Sequence, residues 1–383
     1  REDDAKGEQR ACEAYQEGHR GQASLWHVHR ARSDEGNWVR RHLPGTSVTD
    51  ALVSVLMPVR DGAATLTEAL AGILADGDPA IEVLAVDDGS TDATWQHLRE
   101  ACVRDPRVRA LKSRGSGLVS ALHTAVSEAR GDFLARMDAD DRALPTRIAA
   151  QRAHLSRHPG IGALGTQVAL FADGAVGEGF QRYVAWQNGL ISPEDHTRER
   201  FVESPLCHPS VMFPRAAFAQ VGGYRDFHGP EDYDLFLRLA EAGYDLAKLP
   251  QVLLHWRHRM QRTTFADGRY ALGCFRATKA PYLARALSAA QKPRLVVWGA
   301  GPTGRRTMRE LEPYGLRAAA FVDIDPEKLG RVARGVSIVP AAELDPHQDA
   351  VLVAVGARGA RELIREQLRM LGFREGVDAY FAA

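Results

Sequence analysis

Three carboxylates lie within four positions at the end of an apolar stretch that begins at Phe133. The stretch runs to Met137, and Asp138, Asp140 and Asp141 follow it. Carboxylates this close repel one another unless a cation or water shares their site. Carboxylate oxygens are good ligands for Mg²⁺ and Mn²⁺, and these ions in turn bind phosphates. The spacing therefore favours a metal–diphosphate site, with a solvated acidic turn as the alternative.

Two further acidic pairs stand at the ends of predicted elements. Asp87 and Asp88 follow an apolar run at residues 81–86, and open α/β sheets present ligand-binding groups at the carboxyl ends of their strands. Glu231 and Asp232 open a predicted helix, where acids also complement the helix dipole without doing chemistry. Capping of the next helix is the corresponding alternative for the first pair.

The composition excludes several classes of protein. Among 383 residues, Lys+Arg and Asp+Glu are both 49, so no net charge attracts nucleic acid. The four cysteines are scattered without a C-x-x-C pair, which argues against a zinc site or a disulfide framework. No apolar run approaches the ~18 residues of a membrane span, and no signal-peptide pattern is found. We expect a cytoplasmic protein, with peripheral contact at the inner face of the membrane as one option.

The elements that position these acids alternate between strand and helix. Strands are predicted at residues 53–57, 81–86, 108–111 and 133–137, with amphipathic helices at 65–74, 93–102 and 118–129. Short links between them imply right-handed crossovers and a mostly parallel, helix-covered sheet of the α/β class. Residues 172–204 are polar and read as an irregular loop that shapes a substrate pocket. A strand at 208–213 and the helix from Glu231 complete the pattern.

The length and the pattern predict three regions. Residues 1–50 have too few apolar residues for a core and are expected to be a poorly ordered extension. Residues 51–290 form the larger α/β domain with a linking helix, and residues 291–383 form a smaller Rossmann-like α/β domain. In the smaller domain a G-x-G-x-x-G segment follows a strand, with an acid near the spacing expected for ribose binding. Its candidate nucleotide-binding residues are Gly299, Gly301, Gly304 and Asp323.

Residues 52 to about 260 resemble the family 2 glycosyltransferases, which have the GT-A fold and use nucleotide-activated sugars. The resemblance rests on four short motifs in the same order and structural context. They are Met57-Pro58-Val59-Arg60-Asp61, Asp87-Asp88-Gly89-Ser90-Thr91-Asp92, Met137-Asp138-Ala139-Asp140-Asp141 and Pro230-Glu231-Asp232-Tyr233-Asp234-Leu235. The chain departs from the family at Arg60-Asp61, where Tyr-Asn is usual.

The resemblance implies a role for each motif. Asp138 and Asp140 would hold Mg²⁺ or Mn²⁺, and Asp232 would be the catalytic base, with Glu231 as its substitute or orienting partner. Asp87 or Asp88 would accept a hydrogen bond from the imide N–H of a uracil-like base, which favours a UDP-sugar. The expected donor-binding residues are Pro58, Val59, Asp61, Asp87, Asp88, Arg136, Asp138, His255 and Arg257. For Arg136, contact with phosphate and bracing of a carboxylate are equal alternatives.

The predicted function is therefore inverting, metal-dependent transfer of a sugar from a nucleoside diphosphate to a hydroxyl group. The acceptor is a polysaccharide, a lipid-linked sugar or a small molecule. Alternative functions are an NAD(P)-binding oxidoreductase centred on Gly299 to Gly304, and a nucleotide-sensing module that binds NAD(P) or another nucleotide there. A nucleotidyltransferase is disfavoured because residues 58–62 make a poor triphosphate loop.

Overall fold

The computed structural model describes residues 51–75, 80–172, 174–258 and 267–383. The predicted N-terminal extension at residues 1–50 lies outside the described residues. The chain divides into two compact units: the described residues up to Pro193 together with Leu206–Asp267, and Glu194–Pro205 together with Gly268–Ala383.

The first unit is built on one large sheet. Its strands are β1 (Val53–Val59), β2 (Ile81–Asp87), β3 (Val108–Lys112), β4 (Phe133–Arg136), β5 (Arg142–Ala143), β6 (Ile161–Ala172), β7 (Met212–Pro214) and β8 (Asp245–His258). Their order in the sheet is β3-β2-β1-β4-β7-β6-β8-β5. Strands β1 to β4 pair in parallel, β6 pairs in parallel with β8, and β7 and β5 pair antiparallel with their neighbours. The predicted α/β class with a parallel, helix-covered sheet is confirmed.

Helices cover both faces of this sheet. They are α1 (Leu66–Leu74), α2 (Thr94–Arg104), α3 (Leu118–Glu128), α4 (Arg147–Arg157), α5 (Glu178–Gly189), α7 (Arg215–Gln220) and α8 (Glu231–Glu241). Helix α6 (Pro193–Glu199) begins at the last residue before the chain passes into the second unit. Val55 and Met57 belong to one apolar cluster, whereas Leu56 between them belongs to another. This alternation explains why β1 reads as a continuous apolar run: both sides of the strand are buried.

The parallel register brings the predicted motifs to one edge of the sheet. Val59 at the end of β1 pairs with Asp87 at the end of β2, and Leu56 pairs with Arg136 at the end of β4. Because parallel strands end at the same edge, the residues that follow all three strands lie side by side.

Residues 172–204 differ from their predicted irregular structure, because α5 and α6 occupy much of this stretch. Phe180, Tyr183, Val184 and Gln187 have the i, i+3, i+4, i+7 spacing of a helix face. The Phe180 ring lies 5.1 Å from that of Trp256, centroid to centroid. The glycines around this segment made the helical spacing of its apolar residues difficult to recognise in the sequence.

The second unit has a six-stranded sheet of its own. It contains α9 (Leu272–Ala289), β9 (Arg294–Trp298), α10 (Pro302–Leu311), β10 (Ala318–Val322), β11 (Val332–Ala333), β12 (Val336–Val339), β13 (Asp349–Val353), α11 (Ala360–Met370) and β14 (Ala379–Phe381). The strand order is β11-β12-β10-β9-β13-β14, and every pair except β11–β12 is parallel.

Lys279 of α9 explains why Glu194–Pro205 belongs with the second unit. Its buried ammonium group donates to the backbone oxygens of Phe201 (2.6 Å), Val202 (3.2 Å) and Ala382 (2.8 Å). Burial lowers the pKa of Lys279 to about 7, and these three acceptors satisfy all of its N–H donors.

Among the helices that the structure describes, none has both the length and the apolar composition needed to cross a bilayer.

Candidate active site

The acidic cluster after β4 has the composition of a site for a hard divalent cation. Asp138, Asp140 and Asp141 each bring a carboxylate oxygen within 4.8 Å of the others. Asp138 and Asp140 are partly exposed, whereas Asp141 is buried. Three carboxylates fit Mg²⁺ or Mn²⁺ better than a softer metal, since these ions prefer oxygen ligands. The geometry adds Asp141 to the two predicted ligands.

Arg136 braces this cluster from inside the protein. Its side chain is only 2% exposed, and Nη2 donates to Asp138 Oδ1 at 2.6 Å. The other terminal nitrogen donates to the backbone oxygen of Met137. The backbone oxygen of Arg136 itself accepts a 2.7 Å hydrogen bond from the buried Arg147. These contacts favour the bracing role of Arg136 over direct contact with a phosphate.

The two acids at the end of β2, Asp87 and Asp88, are both held by neighbouring groups. Asp87 accepts from Lys112 Nζ at 2.5 Å and from the backbone N–H of Ser90 at 3.1 Å. Burial alone would raise the pKa of Asp87, but these hydrogen bonds outweigh it and hold the pKa below its ordinary value. Both carboxylate oxygens of Asp88 lie 2.9 Å from the single backbone N–H of Gly117, and burial raises the pKa of Asp88. Asp88 therefore keeps more capacity to accept a further hydrogen bond.

Hydrogen bonds connect the loop after β1 to the loop after β2. Asp61 has a left-handed backbone conformation (φ 47°), which Asn and Asp adopt more readily than most residues. Its carboxylate accepts from the backbone N–H of Thr91 at 2.7 Å, and its own N–H donates to Ser90 Oγ at 2.9 Å. Pro58 and Val59, at the end of β1, lie beside the acidic pair after β2. The two loops thus form one preorganised wall of the site.

Glu231 and Asp232 lie in the first turn of α8, and both interact electrostatically with Arg136. Glu231 is buried, and Asp232 is only partly exposed. Burial, and next the neighbouring Glu231 carboxylate, raise the pKa of Asp232 to about 8, and the charge of Arg136 offsets part of this increase. A carboxylate whose pKa lies near the working pH is suited to general-base catalysis.

The raised pKa of Asp232 predicts how stability depends on pH. Between the unfolded pKa near 4 and the folded value near 8, the folded state keeps the proton more tightly, so stability falls as pH rises. Asp232→Asn removes this cost. We expect the variant to melt a few degrees above the wild type at pH 8.5, with the advantage disappearing toward pH 4. Melting curves of both proteins across this range test the expectation, and an equal gap at every pH would contradict it.

Tyr224 is a site residue that sequence reasoning missed. Its hydroxyl lies 2.7 Å from His208 Nε2, and His208 Nδ1 lies 3.7 Å from Glu231 Oε1. Burial, and then the charge of Arg136, hold the pKa of His208 well below its ordinary value, so the imidazole is neutral. Tyr224 stands in a loop with no motif around it, and only the fold brings it to this position.

Tyr224 and Arg136 connect the two acidic parts of the site. The pKa of Tyr224 is raised, first by burial and then by charges that include those of Glu231, Asp232 and Asp138. Arg136 pairs with Asp138 and also acts on the pKa of Asp232. The metal-type cluster and the candidate base therefore both act electrostatically on Tyr224 and Arg136.

His255 and Arg257 lie on β8, next to the acidic cluster. The Arg257 guanidinium donates to the backbone oxygen of Asp140 at 2.7 Å and to Glu68 Oε2 at 2.8 Å. These contacts favour a bracing role for Arg257 over direct contact with a diphosphate. His255 is partly exposed, with its ring 6.3 Å from that of Phe171, and its donor-binding role stays a prediction.

The predicted nucleotide-binding loop of the second unit, residues 299–304, joins β9 to α10. A Cβ atom added at Gly304 would lie 1.9 Å from the backbone oxygen of Gly299, so only glycine fits there. Asp323 follows β10, and its Oδ2 atom is 3.1 Å from Lys328 Nζ. A ribose hydroxyl would have to share this carboxylate with the lysine. Nucleotide or NAD(P) binding by Gly299, Gly301, Gly304 and Asp323 stays a prediction.

Comparisons with known proteins find similarity over part of this chain. Residues 54–222 match the sequence model of the family described as Glycosyl transferase family 2. An uncharacterized glycosyltransferase of Haemophilus influenzae is 28% identical over 207 residues, which cover 53% of this chain and 75% of that protein. The O-antigen biosynthesis protein RfbC of Myxococcus xanthus is 31% identical over 211 residues, covering 54% of this chain and 16% of RfbC. The structure of S. aureus TarS 1-349 in complex with UDP-GlcNAc is 17% identical with a TM-score of 0.47, and the match covers 62% of this chain and 73% of that chain.

The protein is accordingly a glycosyltransferase. More narrowly, the matched family model is that of Glycosyl transferase family 2, over residues 54–222. This region contains the hydrogen-bonded loops after β1 and β2 and the acidic cluster. Asp232 lies beyond residue 222, where the matched region ends. Its candidate role as catalytic base therefore depends on its surroundings, which include Arg136 and Tyr224.

Proposed function

We propose that this glycosyltransferase uses a divalent cation to transfer a sugar from a nucleoside diphosphate to a hydroxyl acceptor, with inversion at the anomeric carbon. The observation that carries the proposal is the arrangement around Arg136. Arg136 pairs with Asp138 of the three-carboxylate cluster, and its charge also acts on Asp232, a carboxyl with a raised pKa. An inverting transfer needs these two elements to flank the sugar.

The acidic cluster supplies the electrostatic half of the reaction. A cation held by Asp138, Asp140 and Asp141 would bind both phosphates and stabilise the negative charge that develops on the departing nucleoside diphosphate. Arg136 holds the Asp138 carboxylate in place through its 2.6 Å hydrogen bond. Because Arg136 is buried, this contact is shielded from water, and a charge-assisted hydrogen bond is stronger in the protein interior than in water.

Asp232 supplies the proton-transfer half. The acceptor oxygen attacks the anomeric carbon and forms the new glycosidic bond while the bond from that carbon to the phosphate oxygen breaks. Asp232 takes the proton of the acceptor hydroxyl, and the electron pair leaves with the diphosphate. Glu231 keeps the pKa of Asp232 high by its charge, and its position beside His208 makes it an orienting group or a substitute base.

Asp88 is the carboxylate that we propose to read the donor base, because Asp87 is already held by Lys112 and Ser90. Asn has one acceptor oxygen where Asp88 has two, so the imide N–H and the Gly117 N–H would compete for it, and an unsatisfied buried donor costs about 1–3 kcal/mol. We therefore expect Asp88→Asn to weaken UDP binding by roughly 5- to 150-fold. Calorimetric titration with UDP measures this change.

The control for this experiment is Asp132→Asn, which changes an exposed aspartate just before β4. It should bind UDP like the wild type. If Asp87→Asn loses UDP affinity and Asp88→Asn does not, the base-reading role belongs to Asp87.

For the acceptor we propose a growing polysaccharide. The support is the similarity to RfbC, which is described as an O-antigen biosynthesis protein. A lipid-linked sugar and a small molecule remain as alternative acceptors with the same reacting hydroxyl.

The experiment that tests the proposed function is a thermal-shift screen of nucleoside diphosphate sugars with Mn²⁺. A specific donor raises the melting temperature by mass action. We expect a UDP-sugar to do so only when Mn²⁺ is present, and the selected donor to be hydrolysed slowly without an acceptor. A screen in which no donor shifts the melting temperature would contradict the proposal, and adding NADH to it tests the second unit.

A further inference from the structure

Glu68 of α1 joins two arginines beside the acidic cluster. Its Oε2 accepts from Arg257 Nη2 at 2.8 Å, and its Oε1 forms an ion pair with Arg142 Nε at 2.6 Å. Both guanidinium groups also lie over Phe171, each 4.4 Å from the ring centroid. These four residues come from α1, β5, β6 and β8, and we call them the arginine clamp.

The clamp contacts the acidic cluster through Arg257. The backbone N–H of Arg257 donates to Asp141 Oδ1 at 2.8 Å, and its Nε donates to the backbone oxygen of Asp140 at 2.7 Å. One residue thus fixes both the side chain of Asp141 and the backbone that carries the Asp140 carboxylate. The orientation of its guanidinium is set by Glu68 and by the Phe171 ring.

From this geometry we infer that Glu68 is a positioning residue for the cation site: through Arg257 it holds Asp140 and Asp141 in ligand geometry. The inference rests on the proposed function, since it concerns the cation that the cluster would hold. Without the Glu68 carboxylate, the Arg257 guanidinium loses its outer partner. It can then turn toward the nearby carboxylates and neutralise the charge that a cation needs.

A positioning role and a merely structural role predict different results. The Glu68 side chain is 44% exposed, and exposed ion pairs contribute little to folding stability. Groups that orient metal ligands, in contrast, change metal affinity about 10–100-fold when they are mutated. Glu68→Gln should therefore lower cation affinity while the melting temperature of the metal-free protein stays within about 2 °C of the wild type.

The chain offers a matched control at Glu128, the last residue of α3. Its carboxylate also joins two arginines, Arg109 at 3.1 Å and Arg114 at 3.0 Å, and its side chain is 34% exposed. Glu128→Gln removes the same charge and the same kind of pairing, but none of these contacts involves Asp138, Asp140 or Asp141.

The test measures Mn²⁺ binding to the full chain, without donor or acceptor, by the loss of the electron paramagnetic resonance signal of free Mn²⁺. We expect the dissociation constant to rise about 10-fold or more in Glu68→Gln, to recover partly in Glu68→Asp, and to stay unchanged in Glu128→Gln. Phe171→Leu, which removes the ring from both guanidinium groups, should also weaken binding, and it decides the question if Glu68→Gln does not fold.

The possible failures are distinguishable. Unchanged Mn²⁺ affinity in Glu68→Gln, together with lost affinity in Asp140→Asn, overturns the positioning role and leaves the proposed function intact. An equal loss in Glu128→Gln overturns it too, because the effect would then be one of general charge. A wild type that binds no Mn²⁺ overturns both this inference and the metal part of the proposed function.

Discussion

Asp232→Asn should bind Mn²⁺ and the donor like the wild type and lose nearly all sugar transfer. The amide cannot take the proton of the acceptor hydroxyl, and general-base catalysis contributes roughly 10²–10⁴-fold. The loss should therefore appear in kcat, while the donor dissociation constant changes by no more than about twofold. Calorimetry with the donor and a coupled assay for released nucleoside diphosphate measure the two quantities separately.

The same assay at different pH values gives a second check on this residue. Because the pKa of Asp232 is raised to about 8, the wild-type rate should increase with pH through the region below 8. The Asn variant should lack this increase of rate with pH. If Asp232→Asn retains full activity and Glu231→Gln does not, the base is Glu231 and the assignment within the pair is reversed.

Asp140→Asn should lose the dependence of donor binding on Mn²⁺. Mutating the groups that support a metal ligand typically costs about 10–100-fold in affinity, and removal of a charged ligand should cost at least as much. We expect the donor dissociation constant measured with Mn²⁺ to rise to the value that the wild type shows with a chelator. Titrations of both proteins, each with Mn²⁺ and with chelator, provide the comparison.

Asp132→Asn serves as the control here as well, because it neutralises an exposed carboxylate at the opposite end of β4. It should bind the donor with the wild-type Mn²⁺ dependence. Donor binding that is the same in Asp140→Asn and wild type, with or without chelator, would remove the metal role from the acidic cluster.

The local pattern of the sequence was sufficient to predict the sheet edge. Apolar runs that end in acids mark strands whose carboxyl ends face a cleft, and the register of β1, β2 and β4 does place those ends together. The helix that opens at Glu231 was also predicted, since an apolar face follows its acidic first turn. These features depend on residues that are near one another in the chain.

The features that were missed depend on contacts between distant residues. Glu68 reads as an ordinary exposed helix residue, and its pairing with Arg257 exists only because α1 and β8 pack beside the same cluster. Tyr224 reaches His208 from a loop that has no regular period. For Arg136 the sequence left two roles open, and the 2% exposure of its side chain is what favours bracing.

The proposed reaction is a single displacement in which Asp232 activates the incoming oxygen opposite a cation-bound diphosphate. Proton NMR of donor hydrolysis tests it without knowledge of the acceptor, because water then takes the place of the hydroxyl group. With an α-linked UDP-sugar selected by the thermal-shift screen, we expect the first sugar released to be the β anomer, before mutarotation mixes the two forms. Initial release of the α anomer would contradict it.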